Sequence, residues 1–161
     1  MVARRGWNLA LSRQPLPTLD RSRYASASGV ARGAYVLADL PGGNPEVILI
    51  ATGSELALAV EAHEKLLAEG IRSRVVSMPS WELFEEQGEE YVQATLGPGT
   101  IRVAIEAAGP MGWERYTGRD GAFIGMRGFG ASAPYKELYK HFGITAEAAA
   151  EAALKRLKHK R

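Results

Sequence analysis

The sequence predicts a three-layer α/β/α domain on a five-stranded, mostly parallel mixed sheet with one antiparallel strand. Val47-Ile48-Leu49-Ile50-Ala51 is a continuous apolar, partly β-branched run, the pattern of a strand buried on both faces. Just past Thr52-Gly53-Ser54 the apolar period becomes helical, giving a strand–turn–helix unit over residues 46–70. The link from Leu37 to Val47 is too short for a helical crossover, so one early strand is antiparallel to a neighbour or displaced across the sheet. From residue 73 onward strand and helix patterns alternate.

Residues 1–28 differ in character from the rest of the chain. Leu9-Ala10-Leu11-Ser12 has the composition of one short strand, ended by Gln14-Pro15-Leu16-Pro17, whose prolines impose an extended path and remove ladder donors. Arg21-Ser22-Arg23-Tyr24-Ala25-Ser26-Ala27-Ser28-Gly29 is polar and small, as in a linker. The expected division is 1–28, a last strand and linker from a preceding domain, and 29–161, the main domain.

In the main domain Gly33-Ala34-Tyr35-Val36-Leu37 is the first strand, followed by a Pro41-Gly42-Gly43-Asn44-Pro45 turn. In the helix after the central strand, Leu56, Ala59, Val60, His63, Leu66 and Leu67 share one face, with Glu61, Glu64, Lys65 and Glu69 mostly opposite. Ser54 offers an N-cap oxygen, Glu61 and Lys65 a favourable i,i+4 pair, and Gly70 a C-terminal stop. Ser73-Arg74-Val75-Val76-Ser77 is the next strand. Ser80 caps a short helical turn through Phe84, and residues 89–96 make a second modest helix, stopped by Gly97-Pro98-Gly99. Residues 100–105 and 122–126 are the last strands. Helices over 134–142 and 145–158 close the chain, the final one with Glu147 and Glu151 early and Lys155, Arg156 and Lys158 late, complementing its macrodipole.

At 161 residues the chain is one domain with at most a fragment of a second. It has no cysteine, which excludes disulfides and thiolate metal sites and suits the cytoplasm. No apolar run reaches the length of a membrane span. The net charge of +2 hides an asymmetry: residues 1–32 and 155–161 carry +5 each, whereas 33–154 holds nine basic and seventeen acidic residues. An acidic body with basic ends is unlike a nucleic-acid reader, so neither nucleic acid nor membrane is expected as a partner.

Several stretches invite a chemical reading and mostly fail it. Thr52-Gly53-Ser54-Glu55 lies where a helix start attracts anions, but it has one glycine, no following lysine and a carboxylate in the first turn, so capping is favoured. Gly125-Met126-Arg127-Gly128-Phe129-Gly130 is not the dinucleotide order G-x-G-x-x-G and reads as a strand-to-helix connection leading to Pro134. Asp120-Gly121 reads as a turn, and His63, His141 and His159 lack metal-ligand spacing, with His63 a core histidine. Ser132 sits in no nucleophile elbow. Trp81 and Trp113 are expected as packing anchors or interface residues. Arg13, at the end of a strand and beside a Pro-bounded loop, is placed to hold a phosphate or carboxylate by its planar fork, although composition alone favours a surface arginine.

Several blocks in order resemble one family. Leu11-Ser12-Arg13-Gln14 and Ala31-Arg32-Gly33-Ala34-Tyr35-Val36-Leu37 are similar to the junction between the middle and last domains of transketolase. So are Ile50-Ala51-Thr52-Gly53-Ser54-Glu55, the run from Val75 to Phe84, Gly125-Met126, Phe129-Gly130-Ala131-Ser132-Ala133-Pro134 and Phe142-Gly143-Ile144-Thr145. The resemblance runs from about Leu9 to the C-terminus. It implies the transketolase C-terminal domain fold and, for the whole enzyme, transfer of a two-carbon ketol unit from a ketose phosphate to an aldose phosphate. It also implies thiamine diphosphate with Mg²⁺ (or Ca²⁺) in the full enzyme, a homodimer, and a sugar phosphate substrate. The family's Gly-Asp-Gly motif, activating Glu and catalytic His residues belong to the two earlier domains, and Arg119-Asp120-Gly121 is no substitute. This chain is therefore expected to bind no cofactor or metal and to carry no catalytic residue. Only Arg13 matches a family site position, where the arginine of Ser-Arg-Gln binds the substrate phosphate. Residues 1–8 depart from the family pattern, leaving open whether the chain is a split subunit or a truncated gene. The expectation is a C-terminal part of a transketolase, inactive without the remaining domains; a self-standing interaction or dimerisation module is the alternative.

Overall fold

A computed structural model describes residues 10–12, 14–40, 44–97 and 100–160. The strands are β1 (Tyr35–Ala38), β2 (Val47–Ala51), β3 (Ser73–Ser77), β4 (Ile101–Glu106) and β5 (Ala122–Gly125). They form one sheet in the order β1-β3-β2-β4-β5, with β1 antiparallel to β3 and the other pairs parallel. The helices are α1 (Leu56–Ala68), α2 (Trp81–Glu85), α3 (Glu89–Leu96), α4 (Glu114–Thr117), α5 (Tyr135–Phe142) and α6 (Ala146–Lys160). The expected architecture is thus present, including the antiparallel strand. The short link after β1 crosses the sheet plan, because β3 lies between β1 and β2.

The apolar run of β2 is continuous because alternate side chains serve two cores. Val47, Leu49 and Ala51 pack with α1 and α6, beside Val75, Val103, Ile105, Leu66 and the α6 alanines 146, 149, 150 and 153. Ile48 and Ile50 point the other way, to Phe84, Leu96, Trp113 and Tyr116. In β1 both Leu37 and Ala38 face the first core. The register to β3 shifts between Val36 and Ala38, and a bulge of this kind sets two successive residues on one side.

Helix α1 buries Ala59, Val60, Ala62, His63 and Leu66, close to the predicted face. Gly70, at φ +74°, and the bond from Ile71 N–H to the Leu66 carbonyl close it as a Schellman stop. Ser80 caps α2 by accepting from the Leu83 N–H, and α3 has the predicted bounds.

The structure corrects the Ser54 cap, the strand at residues 9–12 and the linker, and adds two features. Ser54 is not an N-cap: a 3-10 turn, Gly53–Glu55, precedes α1, so Ser54 lies inside the helical segment. Lys65 makes its close ion pair with Glu147 of α6 at 2.9 Å, tying helix to helix, while the Glu61 charge acts on it favourably from one turn earlier, as the i,i+4 spacing offers. Residues 10–12 form no strand; Leu9 is outside the described residues. The linker-like stretch is structured, with Asp20 capping a turn at Ser22 and a 3-10 helix over Ala27–Arg32. Leu19, Tyr24 and Val30 pack on the first core, and Glu64 of α1 accepts from Arg23 (2.6 Å) and the Tyr24 hydroxyl (3.2 Å). Finally, α4 has no counterpart in the sequence pattern, since four residues carry no readable helical period.

Candidate functional site

Parallel strands β2 and β4 are neighbours whose chains leave in opposite directions, β2 towards β3 through α1 and β4 towards β5. Crevices at such a switch point, outside the carboxyl ends of the strands, are where open α/β sheets bind ligands. Here the crevice is acidic. Glu55, just past β2, is 3% exposed, and Glu106 is the last residue of β4. Ser54 donates to Glu55 Oε1 at 2.9 Å and meets the Tyr139 hydroxyl at 3.1 Å, while Tyr139 of α5 also donates to Glu55. Burial, and then the Glu55 charge, push Glu106 up to about 7. Burial and the bond to Glu55 push Tyr139 up to about 12. Near neutral pH Glu106 can therefore hold or release a proton, while the phenol keeps its own. A cavity of about 470 Å³ opens beside Glu106, walled by Thr52, Pro79, Trp81 and Met111.

A second cavity, about 620 Å³, lies between the Leu16-Pro17 segment and residues Ser54, Ala57 and Tyr139. It brings the segment after the Ser-Arg-Gln run to this end of the sheet. Arg13 is outside the described residues; of its neighbours, Ser12 is exposed and Gln14 half-buried.

The other singled-out residues lie apart from each other. His63 is buried and its Nδ1 bonds with the Ser73 hydroxyl at 2.7 Å. His141 meets Phe142 edge to face, and His159 Nδ1 donates to the Lys155 carbonyl at 2.6 Å. Trp113 is 3% exposed in an aromatic cluster with Trp81, Tyr116 and Phe123, so it is a packing anchor. The glycine-rich stretch after β5 runs to Pro134, the N-cap of α5, with Phe129 fully exposed. A side chain at Gly121 would meet the Arg102 and Thr117 carbonyls, so Asp120-Gly121 is the turn into β5. Among the described residues no three His, Cys, Asp or Glu are grouped to hold a metal ion, and no helix is long and apolar enough to cross a membrane.

Sequence reasoning misses the Ser54–Glu55–Tyr139–Glu106 constellation. The available signal is an acid at or just past the carboxyl end of each of two adjacent parallel strands; by itself Glu55 reads only as a complement to the helix dipole.

Fold and crevice define a three-layer α/β/α domain with a switch-point cleft. A family model described as "Transketolase-like TK C-terminal domain" matches residues 33–145. The chain belongs to this family, the C-terminal domain of transketolases. It is 53% identical over 151 residues to the transketolase of Sinorhizobium medicae, covering 93% of this chain and 21% of that protein. Among solved structures it resembles transketolase from Leishmania mexicana, at TM-score 0.77 and 44% identity over 84% of this chain and 19% of that one. A Pichia stipitis transketolase in complex with sedoheptulose-7-phosphate matches at TM-score 0.80 and 35% identity, over 91% of this chain and 21% of that one. The chain thus spans about a fifth of the length of the curated relatives it matches.

Proposed function

We propose that this chain serves as the C-terminal part of a cytoplasmic transketolase, which transfers a two-carbon ketol unit from a ketose phosphate to an aldose phosphate. The observation that carries this is the identity of 53% over 93% of the chain. In this reading thiamine diphosphate and its divalent ion are held by the remaining transketolase domains, in the same or a separate chain, and the complete enzyme is a homodimer. Residues 29–161 are assigned to the C-terminal domain and 1–28 to the end of the preceding one with its connection, the part around Leu19 and Tyr24 packing on the first core.

Arg13 is the substrate contact. A sugar phosphate carries its dianion away from the reacting carbonyl, so an arginine fork on that phosphate positions the substrate and does no bond-making itself. Support comes from the Ser12-Arg13-Gln14 motif and from the placement of Leu16 and Pro17 over the start of α1. Met111, 89% exposed, and Phe129, 100% exposed, lie beyond the ends of β4 and β5 and suit contact with the other domains or a second subunit.

Calorimetric titration of the chain with thiamine diphosphate and Mg²⁺ tests the division of labour. No binding is expected from the chain alone, and ketol transfer appears only once the thiamine-binding domains are supplied. Micromolar binding by this chain would overturn the assignment.

A further inference from the structure

We propose that the cavity around the outer edge of β5 is a binding site for a multiply charged phosphate anion. β5 ends the sheet, and a cavity of about 510 Å³ wraps this edge. Phe123 and Ile124, whose side chains serve opposite faces of the sheet, both line it. Arg127 enters from the loop after β5, and Lys155, Arg156 and His159 enter from α6.

These cations are gathered on one wall, whereas four others are spent on ion pairs. Arg23, Lys65, Arg74 and Arg115 each hold a carboxylate within 2.9 Å. Arg127, Lys155 and Arg156 make no such pair among the described residues. Asp120 lines an adjoining small cavity with Arg156, His159 and Lys160, and Glu151 lies one turn before Lys155 on α6. His159 donates its Nδ1 proton to the Lys155 carbonyl, which leaves Nε2 as its second polar atom. Complementing the α6 dipole accounts for Lys155 and Arg156. It does not account for Arg127, which belongs to another element. Like charges gathered on one concave wall repel each other, and an anion between them converts that repulsion into attraction. Two guanidinium forks match phosphate oxygens in pairs, and a cavity of this size suits a small molecule. The site is at the opposite edge of the sheet from β1, where the segment after Arg13 lies near Tyr35 and Leu37.

The test is calorimetric titration of the full chain with inorganic pyrophosphate at 150 mM salt, where surface charges more than about 8 Å apart are largely screened. Saturable binding to one site is expected. It should weaken at least tenfold in the double variant Arg127→Gln/Arg156→Gln and less than twofold in Lys136→Gln/Lys140→Gln, which removes the same charge from α5. Equal thermal midpoints for the two variants, whose altered residues are all exposed, confirm that folding is not the cause. Absence of saturable binding, or equal weakening in both double variants, would overturn the site.

Discussion

The phenol of Tyr139 donates to the buried carboxylate of Glu55, 84 positions earlier in the chain. This bond, with Ser54 alongside, ties α5 to the turn after the central strand. Tyr139→Phe leaves Glu55 buried with Ser54 as its one remaining side-chain donor among the described residues. The expected cost is about 1–3 kcal/mol, and the thermal midpoint falls by about 2–4 °C for each kcal/mol. Hydrogen exchange should rise first in α5. An unchanged midpoint would show that the carboxylate is satisfied without the phenol.

Glu106 sets a pH dependence of stability. The unfolded chain releases this proton near the ordinary 4.5, while the folded chain keeps it to about 7. Between those values the folded state holds more protons, so stability falls as pH rises across the window and levels off above it. His63 acts in the opposite sense, because burial lowers its pKa from 6.5; its contribution is present above that pH and falls as the pH drops below it. Glu106→Gln should remove the decline between about pH 4.5 and 7 and expose the acid-side loss from His63. Urea midpoints at fixed ionic strength test this; a variant with the wild-type profile would contradict it.

Gly33 joins the 3-10 helix to β1 at φ +80°, and a Cβ there would lie 2.2 Å from the Phe84 nitrogen and 2.4 Å from the Ser80 carbonyl. Gly33→Ala combines left-handed strain with a collision against the backbone at the start of α2. We expect a loss of about 2 kcal/mol or more in urea unfolding. Gly53→Ala, at a similar φ of +53° but with open space around the added carbon, should cost less.

The architecture is legible in the sequence because its main signals are local. The β2 run, the α1 period and the Ser80 cap depend on neighbouring residues, and the short link before β2 restricts the topology. The features that escape a sequence reading depend on residues far apart in the chain. Lys65 cannot be assigned to Glu147 until α1 and α6 are packed together. The polar stretch around Tyr24 looks like a linker because its partner, Glu64, lies 40 residues away. Tyr139 carries no polar signal inside an ordinary helix, and Glu106 becomes unusual only when β4 sets it beside Glu55 in a crevice. Arg13 rests on motif resemblance, since composition around it favours a plain surface residue.

The measurement that most directly tests the account is steady-state kinetics of Arg13→Ala in an enzyme with the thiamine-binding domains restored. Charge-assisted hydrogen bonds to a phosphate are worth about 1.5–3 kcal/mol each, and every 1.4 kcal/mol corresponds to about tenfold in affinity. KM for phosphorylated sugars should rise about tenfold or more, with smaller effects on kcat and on unphosphorylated substrates. Arg13→Lys should recover only part, because a point charge replaces a fork. An unchanged KM for sugar phosphates in Arg13→Ala would contradict the account and return Arg13 to an ordinary surface arginine.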